Sequence, residues 1–260
     1  MKIAHLSDLH FGRRVSAEKT DALYRDLRAL RPDLLVLTGD VTDRGTRGQF
    51  RLALAFLESV AVPFLSVPGN REVCISSVWE WTLPTMAMTR YRHYFGRHDR
   101  VVFQSETEKV VFFGLNSVHS FPSWPGSIAR ETRYWFREQS ARYSDHVKVL
   151  FLHHPVLPVI RGSSFWAHTL SDAGELLNIC TENGVSLILQ GHKHRSAVVE
   201  LFVPERNARL LVAAGGAPLM PYWDPSYHLV EIAGRTMKIS TREFQAGRFA
   251  QKYAYESTLE

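Results

Sequence analysis

The sequence of 260 residues contains only two cysteines, Cys74 and Cys180, and this scarcity excludes a disulfide-based scaffold. Each cysteine has apolar neighbours, so both are predicted to be small buried hydrophobic residues in a reducing compartment. The chain has no apolar run of ~18 residues, which argues against a transmembrane helix. Its start, Met1–Asp8, reaches charged residues before a signal-peptide core could form. These features together predict a cytoplasmic protein.

Repeats, low-complexity tracts and linker-like stretches are also absent. Hydrophobic residues make up 45% of the chain and charged residues 22%, which excludes dominant disorder. We predict one catalytic domain over residues 1–245, followed by a C-terminal tail over residues 246–260. The formal net charge of +5 favours anionic ligands in general, but it does not by itself indicate nucleic acid.

Strands and helices alternate along most of the chain. Continuous apolar runs predict buried strands at 2–6, 33–38, 63–67, 147–152 and 185–189. Helices are expected to begin at Ser16 and Thr46, and further helices are expected at 131–142 and 171–183. This alternation favours parallel strands that are covered by helices on both faces. Four later segments, 197–203, 209–213, 228–232 and 236–241, alternate as in an antiparallel sheet.

Polar residues gather where the predicted strands end. In chain order these residues are Asp8 and His10, Asp40 and Asp43, Asn70, His153, and finally His192 and His194. Ligands of open α/β sheets bind beyond the carboxyl ends of the strands, so we expect these side chains to converge. Each residue alone has an ordinary alternative as a turn former, a helix cap or a loop residue. The whole set is too rich for one structural zinc and suits two metals that share a carboxylate, ~3.5–4 Å apart.

The same residues carry a family resemblance. Asp8-x-His10, Gly39-Asp40-x-x-Asp43, Gly69-Asn70, His153 and Gly191-His192-x-His194 resemble the five-block signature of the calcineurin-like metallophosphoesterases. The resemblance implies an α/β fold, namely a four-layer α/β/β/α sandwich of two mixed β-sheets flanked by helices. It also implies two metal ions, one held by Asp8, His10, Asp40 and His194, and the other by Asp40, Asn70, His153 and His192. The mixed nitrogen and oxygen ligands suit manganese, iron or zinc.

This resemblance implies a metal-dependent phosphoesterase. A hydroxide that bridges the two metals would attack a phosphodiester or pyrophosphate bond in line. The expected substrate is a small phosphorylated molecule such as a nucleotide, a glycerophosphodiester or a nucleotide sugar. A phosphomonoesterase or phosphoprotein phosphatase is the alternative. A nuclease or nucleic-acid-binding subunit is less favoured, because the chain contains no recognisable nucleic-acid-binding module and its basic residues are dispersed.

One block departs from the family pattern. The family reads Gly-Asn-His followed by Asp or Glu, whereas this chain reads Gly69-Asn70-Arg71-Glu72. An arginine cannot act as a general acid, but it can clamp a phosphoryl group with paired hydrogen bonds. Arg71 therefore favours a leaving group that needs little protonation, such as a pyrophosphate. The UDP-diacylglucosamine pyrophosphohydrolases also carry an arginine here, although they generally lack the later His-His-Pro. The alternative is that His154 or His119 takes over the role of the missing histidine.

Further residues near these blocks are candidates for catalysis or substrate binding. Asp43 is expected to orient a ligating histidine, and His154 is expected to support a ligand. Arg44 resembles an arginine that reaches substrate in phosphoprotein phosphatases, with a solvated loop residue as the alternative. The predicted catalytic residues are Asn70, Arg71, Asp43 and His154. The predicted substrate-binding residues are Arg71, Arg44 and His119.

Two segments, about 73–100 and 120–133, are candidate specificity loops. They combine aromatic residues (Trp79, Trp81, Tyr91, Tyr94, Phe95, Phe121, Trp124) with arginines (Arg90, Arg92, Arg97, Arg100, Arg130, Arg133). Such residues can stack on a nucleobase, seat an acyl chain or pack on a membrane surface. The alternative is a locally folded cap with its own small aromatic core. The sequence leaves these possibilities open, as it does the oligomeric state.

Overall fold

The structure is a computed structural model that describes residues 1–12, 15–73, 88–96, 100–118, 125–158, 169–221 and 224–258. The helices in these ranges are α1 (Ala17–Leu30), α2 (Arg47–Val60), α3 (Thr89–Phe95), α4 (Arg130–Ala141) and α5 (Ala173–Glu182). The strands are β1 (Lys2–Leu6), β2 (Leu34–Thr38), β3 (Phe64–Val67), β4 (Arg100–Gln104), β5 (Val110–Leu115), β6 (Val147–Phe151), β7 (Val185–Gln190), β8 (Ala197–Val203), β9 (Ala208–Ala214), β10 (Ser226–Ala233), β11 (Thr236–Gln245) and β12 (Arg248–Thr258). None of the described helices is both long enough and apolar enough to cross a membrane.

The strands form two six-stranded mixed sheets. The first sheet has the order β12-β11-β10-β1-β2-β3, and the second has the order β4-β5-β6-β7-β9-β8. In the first sheet β1, β2 and β3 are parallel, and in the second sheet β5, β6, β7 and β9 are parallel. Each sheet therefore directs the carboxyl ends of its parallel strands toward a single edge.

Three apolar layers hold the sheets and helices together. The inner faces of the two sheets pack against each other through residues such as Val36, Phe112 and Leu187. The outer face of the first sheet is covered by α1 and α2, and that of the second sheet by α4 and α5. The result is the predicted α/β/β/α sandwich. Cys180, on the buried face of α5, is fully buried, as expected of a small hydrophobic residue, whereas Cys74 lies outside the described residues.

The predicted helix starts are confirmed by their caps. The side chain of Ser16 accepts a hydrogen bond from the Lys19 amide at the start of α1. Thr46 and Gln49 form a reciprocal capping box at the start of α2. These caps satisfy amides that the first helical turn leaves unpaired, which is why the sequence alone locates them.

The later strands differ from the sequence prediction. The four segments expected to alternate as one antiparallel sheet are divided between the two sheets: β8 and β9 join the second, and β10 and β11 join the first. β9 also runs parallel to β7. The two segments within each sheet are antiparallel neighbours, as expected. The prediction of one antiparallel sheet was wrong because β10 also pairs with β1, at the start of the chain, while β9 pairs with β7 of the other sheet. Residues 248–258 lie within the segment predicted as a tail, and they form β12, paired with β11.

Candidate metal centre

The loops that follow the parallel strands meet at one edge of the sandwich. The Asp8 amide donates a hydrogen bond to Gly39 O over 3.1 Å, which joins the loops after β1 and β2. The Gly191 amide donates to His153 O over 3.0 Å, which joins the loops after β6 and β7. Backbone pairing between neighbouring loops thus brings the predicted ligands of each sheet side by side.

Asp8, His10, Asp40 and His194 form the first cluster. One potential ligand atom from each residue lies within 4.8 Å of the others. The Nε2 atoms of His10 and His194 are 3.0 Å apart, and His194 Nε2 is 3.2 Å from Asp8 Oδ1. Two imidazole nitrogens and a carboxylate oxygen therefore converge on one small volume, as the ligands of a cation do.

Asn70, His153 and His192 form a second cluster beside the first. Asn70 Oδ1 lies 3.0 Å from His153 Nε2 and 3.1 Å from His192 Nδ1. The two imidazole nitrogens are 3.2 Å apart. An amide oxygen and two ring nitrogens form a second set of neutral donors.

Asp40 lies between the two clusters and directs one oxygen toward each. Its Oδ2 is 3.9 Å from His10 Nε2, and its Oδ1 is 3.6 Å from His153 Nε2. The backbone amide of Arg71 donates to Oδ1 over 2.8 Å and fixes the carboxylate plane. This is the placement that a carboxylate shared by two ions requires.

The backbone at these positions adopts a conformation that is unfavourable for ordinary residues. Nine described non-glycine residues have positive φ, and five of them are predicted ligands: Asp8, His10, Asp40, His192 and His194. Left-handed backbone of this kind costs of order 1–3 kcal/mol per residue and clusters at functional sites. The strain is concentrated in the loops that present the ligands.

Two glycines allow the loops to approach each other closely. A Cβ atom on Gly69 would lie 2.2 Å from the Asp40 amide nitrogen and 2.2 Å from Asp40 Oδ1. A Cβ atom on Gly191 would lie 2.0 Å from Ser7 Oγ. Any side chain at either position would displace the loops that carry the ligands.

Neighbouring groups orient the ligands toward the interior of the site. Asp8 Oδ2 accepts hydrogen bonds from the Ser7 hydroxyl and from the His192 amide at 2.9 Å. Asp8 Oδ1 is buried and has no hydrogen-bond partner among the described residues. His153 Nδ1 donates to Thr38 O over 2.8 Å, which leaves the Nε2 lone pair available for a ligand. Ser7 and Thr38 were not singled out from the sequence.

The charges at this edge fit bound cations. Burial, followed by repulsion from Glu72 and Asp8, raises the pKa of Asp40 well above its ordinary value. Burial lowers the pKa of His10 to about 4 and that of His192 to about 2, so both rings are neutral near pH 7. The buried surroundings therefore disfavour the negative charge of Asp40, while the neutral imidazoles of His10 and His192 offer lone pairs. Divalent ions would satisfy both conditions.

Glu72 links two of the ligand loops, a role that sequence reasoning missed. Its buried carboxylate accepts hydrogen bonds from the amides of Asp40, Thr42 and Gly69, each at 2.8 Å, and from the Thr42 hydroxyl at 2.9 Å. The loop that carries Asp40 is thereby joined to the loop that carries Asn70. The only sequence signal was its place as the acidic residue of the Gly-Asn-Arg-Glu block.

Three other predicted residues lie around the clusters. The Arg71 side chain is 52% exposed, and its Nε lies 4.0 Å from Asp40 Oδ2, at the rim. Asp43 pairs with the exposed Arg44 at 3.6 Å. Asp43 is not the hydrogen-bond partner of His10 Nδ1, which has none among the described residues.

His154 lies beside the second cluster. It is buried, its Nδ1 is 3.0 Å from Ser117 Oγ, and its ring centroid is 4.8 Å from that of His192. His119 lies outside the described residues.

Part of the predicted specificity segments is described. Tyr91, Tyr94 and Phe95 of α3 pack against Phe50 of α2, with ring centroids 5.1–6.5 Å apart, which favours a small aromatic core at this position. Five other members of the predicted set, Trp79, Trp81, Arg97, Phe121 and Trp124, lie outside the described residues, and so do residues 120–124 of the second segment.

Comparison with known proteins identifies a family and several relatives. A family model described as calcineurin-like phosphoesterase matches residues 1–196. The chain is 25% identical over 169 residues to a probable glycerophosphodiester phosphodiesterase, GpdQ, of Arcobacter nitrofigilis, which covers 61% of this chain and 59% of that protein. It is 26% identical over 235 residues to a probable cyclic nucleotide phosphodiesterase of Moraxella catarrhalis, which covers 85% and 81%. The chain thus spans less than two thirds of the length of the first relative.

Solved structures share the fold. A dimetal phosphatase from Danio rerio superposes with a TM-score of 0.70 and 14% identity, over 100% of this chain and 99% of that one. At this identity the likeness concerns the arrangement of the two sheets and their helices.

Proposed function

The chain belongs to the calcineurin-like phosphoesterase family, and on that premise we propose that this metal-dependent phosphoesterase hydrolyses phosphodiester bonds in small phosphorylated molecules. The observation that carries the proposal is the position of Asp40, with one carboxylate oxygen toward each of two ligand clusters. The names of the relatives, which refer to glycerophosphodiesters and cyclic nucleotides, support diester substrates.

The two clusters define the ligand sets of the proposal. Asp8, His10, Asp40 and His194 hold one ion, whereas Asp40, Asn70, His153 and His192 hold the other. Neutral imidazoles and carboxylate oxygens without thiolates suit manganese, iron or zinc. When bound, two such ions supply an activated water near neutral pH and neutralise the charge that develops on the phosphoryl oxygens.

The residues of the chain then determine how the substrate is held. The guanidinium group of Arg71 lies at the rim, where it donates hydrogen bonds to a phosphoryl oxygen of a substrate at the centre. His154 packs against the ring of His192 and keeps that ligand in place. Asp43 restrains Arg44 at the mouth of the site, since the two side chains form an ion pair.

Arg71 also favours a second candidate for the bond that is hydrolysed, a pyrophosphate bond. A guanidinium group keeps its proton near neutral pH, so it cannot protonate a departing alkoxide. The best leaving groups for this site are therefore weak bases such as phenolates or phosphate esters. A pyrophosphate linkage in a nucleotide sugar meets this requirement, as does an activated diester.

A panel of substrates tests the proposal. Protein loaded in turn with manganese, iron or zinc is assayed on bis-p-nitrophenyl phosphate, cyclic nucleotides, glycerophosphodiesters, nucleotide sugars and p-nitrophenyl phosphate. We expect kcat/KM to be higher for diesters or pyrophosphates than for the monoester, and to be lost in Asp40→Asn. Asp145→Asn is the matched control, since Asp145 is 60% exposed at the opposite end of the sandwich. Higher kcat/KM for the monoester, or no hydrolysis with any metal, would contradict the proposal.

A further inference from the structure

A groove between α2 and α3 carries a concentration of positive charge that the metal centre does not use. The groove has a volume of about 340 Å³ and is lined by Arg47, Arg51, Thr89, Arg90, His93 and Tyr94. None of these lining residues is acidic. The sequence segments 46–57 and 88–96 together contain four arginines and no aspartate or glutamate.

The two arginines of α2 are available to a ligand. Neither Arg47 nor Arg51 forms an ion pair or a side-chain hydrogen bond with any other described residue. Arg242, by contrast, forms a bidentate pair with Asp26 at 2.7 Å. Arg47 and Arg51 are one helical turn apart on α2, and both line the groove without an ion-pair partner among the described residues.

The stability of α2 does not explain this arrangement. Arg47 is the first residue of α2, and the first turn of the helix contains no acidic residue. A cation at the amino end of a helix opposes the helix dipole and is unfavourable. An arginine that destabilises the helix in which it lies is expected where its side chain has a function, such as ligand binding.

The walls of the groove pack on each other and are linked to the loop that follows β2. α3 is fixed on α2 by the stacking of Tyr94 on Phe50, with centroids 5.1 Å apart and an interplanar angle of 11°. Arg90 Nη1 donates to Gly45 O over 3.4 Å, and the Gly45 amide donates to Thr42 Oγ1 over 3.0 Å. The groove therefore borders the loop that carries Asp40.

We propose that the groove between α2 and α3 binds a phosphoryl group. Guanidinium groups bind phosphate oxygens through paired hydrogen bonds, and Arg47 and Arg51 bring two such groups to one groove. The phosphoryl group has two possible sources, a second phosphate on the molecule held at the metal centre, or free inorganic phosphate. The site is separate from the metal clusters, so it does not depend on the proposed hydrolysis.

Titration of the metal-loaded protein with inorganic phosphate in a calorimeter at low salt tests the site. The wild-type protein is expected to bind phosphate in the groove, and Arg51→Gln to weaken that binding about tenfold or more. Arg142→Gln is the matched control, because Arg142 is exposed at the end of α4 and has no described side-chain partner. Equal phosphate binding by Arg51→Gln and wild type, or an equal loss in Arg142→Gln, would overturn the proposal. Any phosphate bound at the metals remains in both variants, so the difference between them reports binding in the groove alone. The result therefore does not depend on whether the protein hydrolyses the proposed substrates.

A kinetic comparison identifies the source. A nucleoside 2′,3′-cyclic phosphate is compared with the same compound bearing a 5′-phosphate. If the groove binds the 5′-phosphate of the substrate, the wild-type KM is lower for the 5′-phosphorylated compound. Arg51→Gln then brings the ratio of the two KM values toward one. If the groove takes free phosphate, the ratio is the same in both proteins while the calorimetric loss persists.

A stability measurement provides an independent readout. In phosphate-free buffer Arg47→Gln is expected to raise Tm by about 1–2 °C, because it removes a cation from the amino end of α2. In the presence of phosphate this advantage is expected to vanish, since the wild-type protein gains more from the ligand. An Arg47→Gln variant with a lower Tm in both buffers would contradict the ligand-binding role.

Discussion

Glu72 provides the most informative substitution, because one buried carboxylate connects two ligand loops. It accepts three backbone hydrogen bonds at 2.8 Å and one hydroxyl bond at 2.9 Å. In Glu72→Gln the side chain keeps its shape, but one of its two oxygens becomes an NH₂ group that can only donate. The NH₂ group of the new side chain therefore lies opposite backbone N–H groups, and two donors cannot form a hydrogen bond with each other.

The cost follows from the best orientation of the new amide. With the NH₂ group at the Oε1 position, the Thr42 hydroxyl can turn and accept from it, and only the Thr42 backbone amide loses its partner. An unsatisfied buried donor costs about 1–3 kcal/mol, and the remaining bonds lose their charge assistance. We expect Glu72→Gln to lower the free energy of unfolding by about 2–4 kcal/mol. Because Asp40 and Asn70 lose a shared anchor, metal affinity should fall ~10–100-fold.

Urea unfolding and metal titration at pH 8 measure both effects. Burial raises the pKa of Glu72 to about 7, so its carboxylate is charged at pH 8. Glu138→Gln, at an exposed position on α4, is the matched control and is expected to change neither quantity. Wild-type unfolding free energy together with wild-type metal affinity in Glu72→Gln would refute this reasoning.

Three further predictions follow from individual contacts. Arg71→Ala should lower kcat on bis-p-nitrophenyl phosphate about tenfold or more, since a hydrogen bond to the phosphoryl group is lost; an unchanged kcat would exclude the clamp. Gly69→Ala should weaken metal binding measured by calorimetry, since its Cβ would lie 2.2 Å from the Asp40 amide nitrogen; wild-type affinity would contradict this. Burial lowers the pKa of His228 to about 4, so the unfolded chain binds a proton more readily below pH ~6.5. The free energy of unfolding should therefore fall by up to about 3 kcal/mol as pH drops from about 6.5 to 4, and an equally steep fall in His228→Gln would refute that origin.

The sequence predicted the elements whose signals are local. Each of these signals lies within a few consecutive residues: the helix caps at Ser16 and Thr46, and the apolar runs of β1, β2, β6 and β7. The structure contains these elements where they were expected. The partition of the later strands was not predictable, because it depends on distant partners. β10, for example, pairs with β1 through Lys2 and Glu231. Pairing across such a separation leaves no trace in local composition.

The candidate site shows the same division. Convergence of Asp8, Asp40 and His153 could be expected, because parallel strands end at a common edge. The role of Glu72 could not, since two of its partners, Asp40 and Thr42, lie about thirty residues earlier in the chain. The basic groove was equally hidden, because its two walls come from α2 and from α3 and meet only through tertiary packing.

The measurement that tests the central claim most directly is anomalous diffraction from crystals grown with manganese. Two anomalous peaks ~3.5–4 Å apart are predicted, with a carboxylate oxygen of Asp40 on each ion. One ion should contact Asp8, His10 and His194, and the other should contact Asn70, His153 and His192. A single peak, or two peaks that Asp40 does not join, would contradict the account.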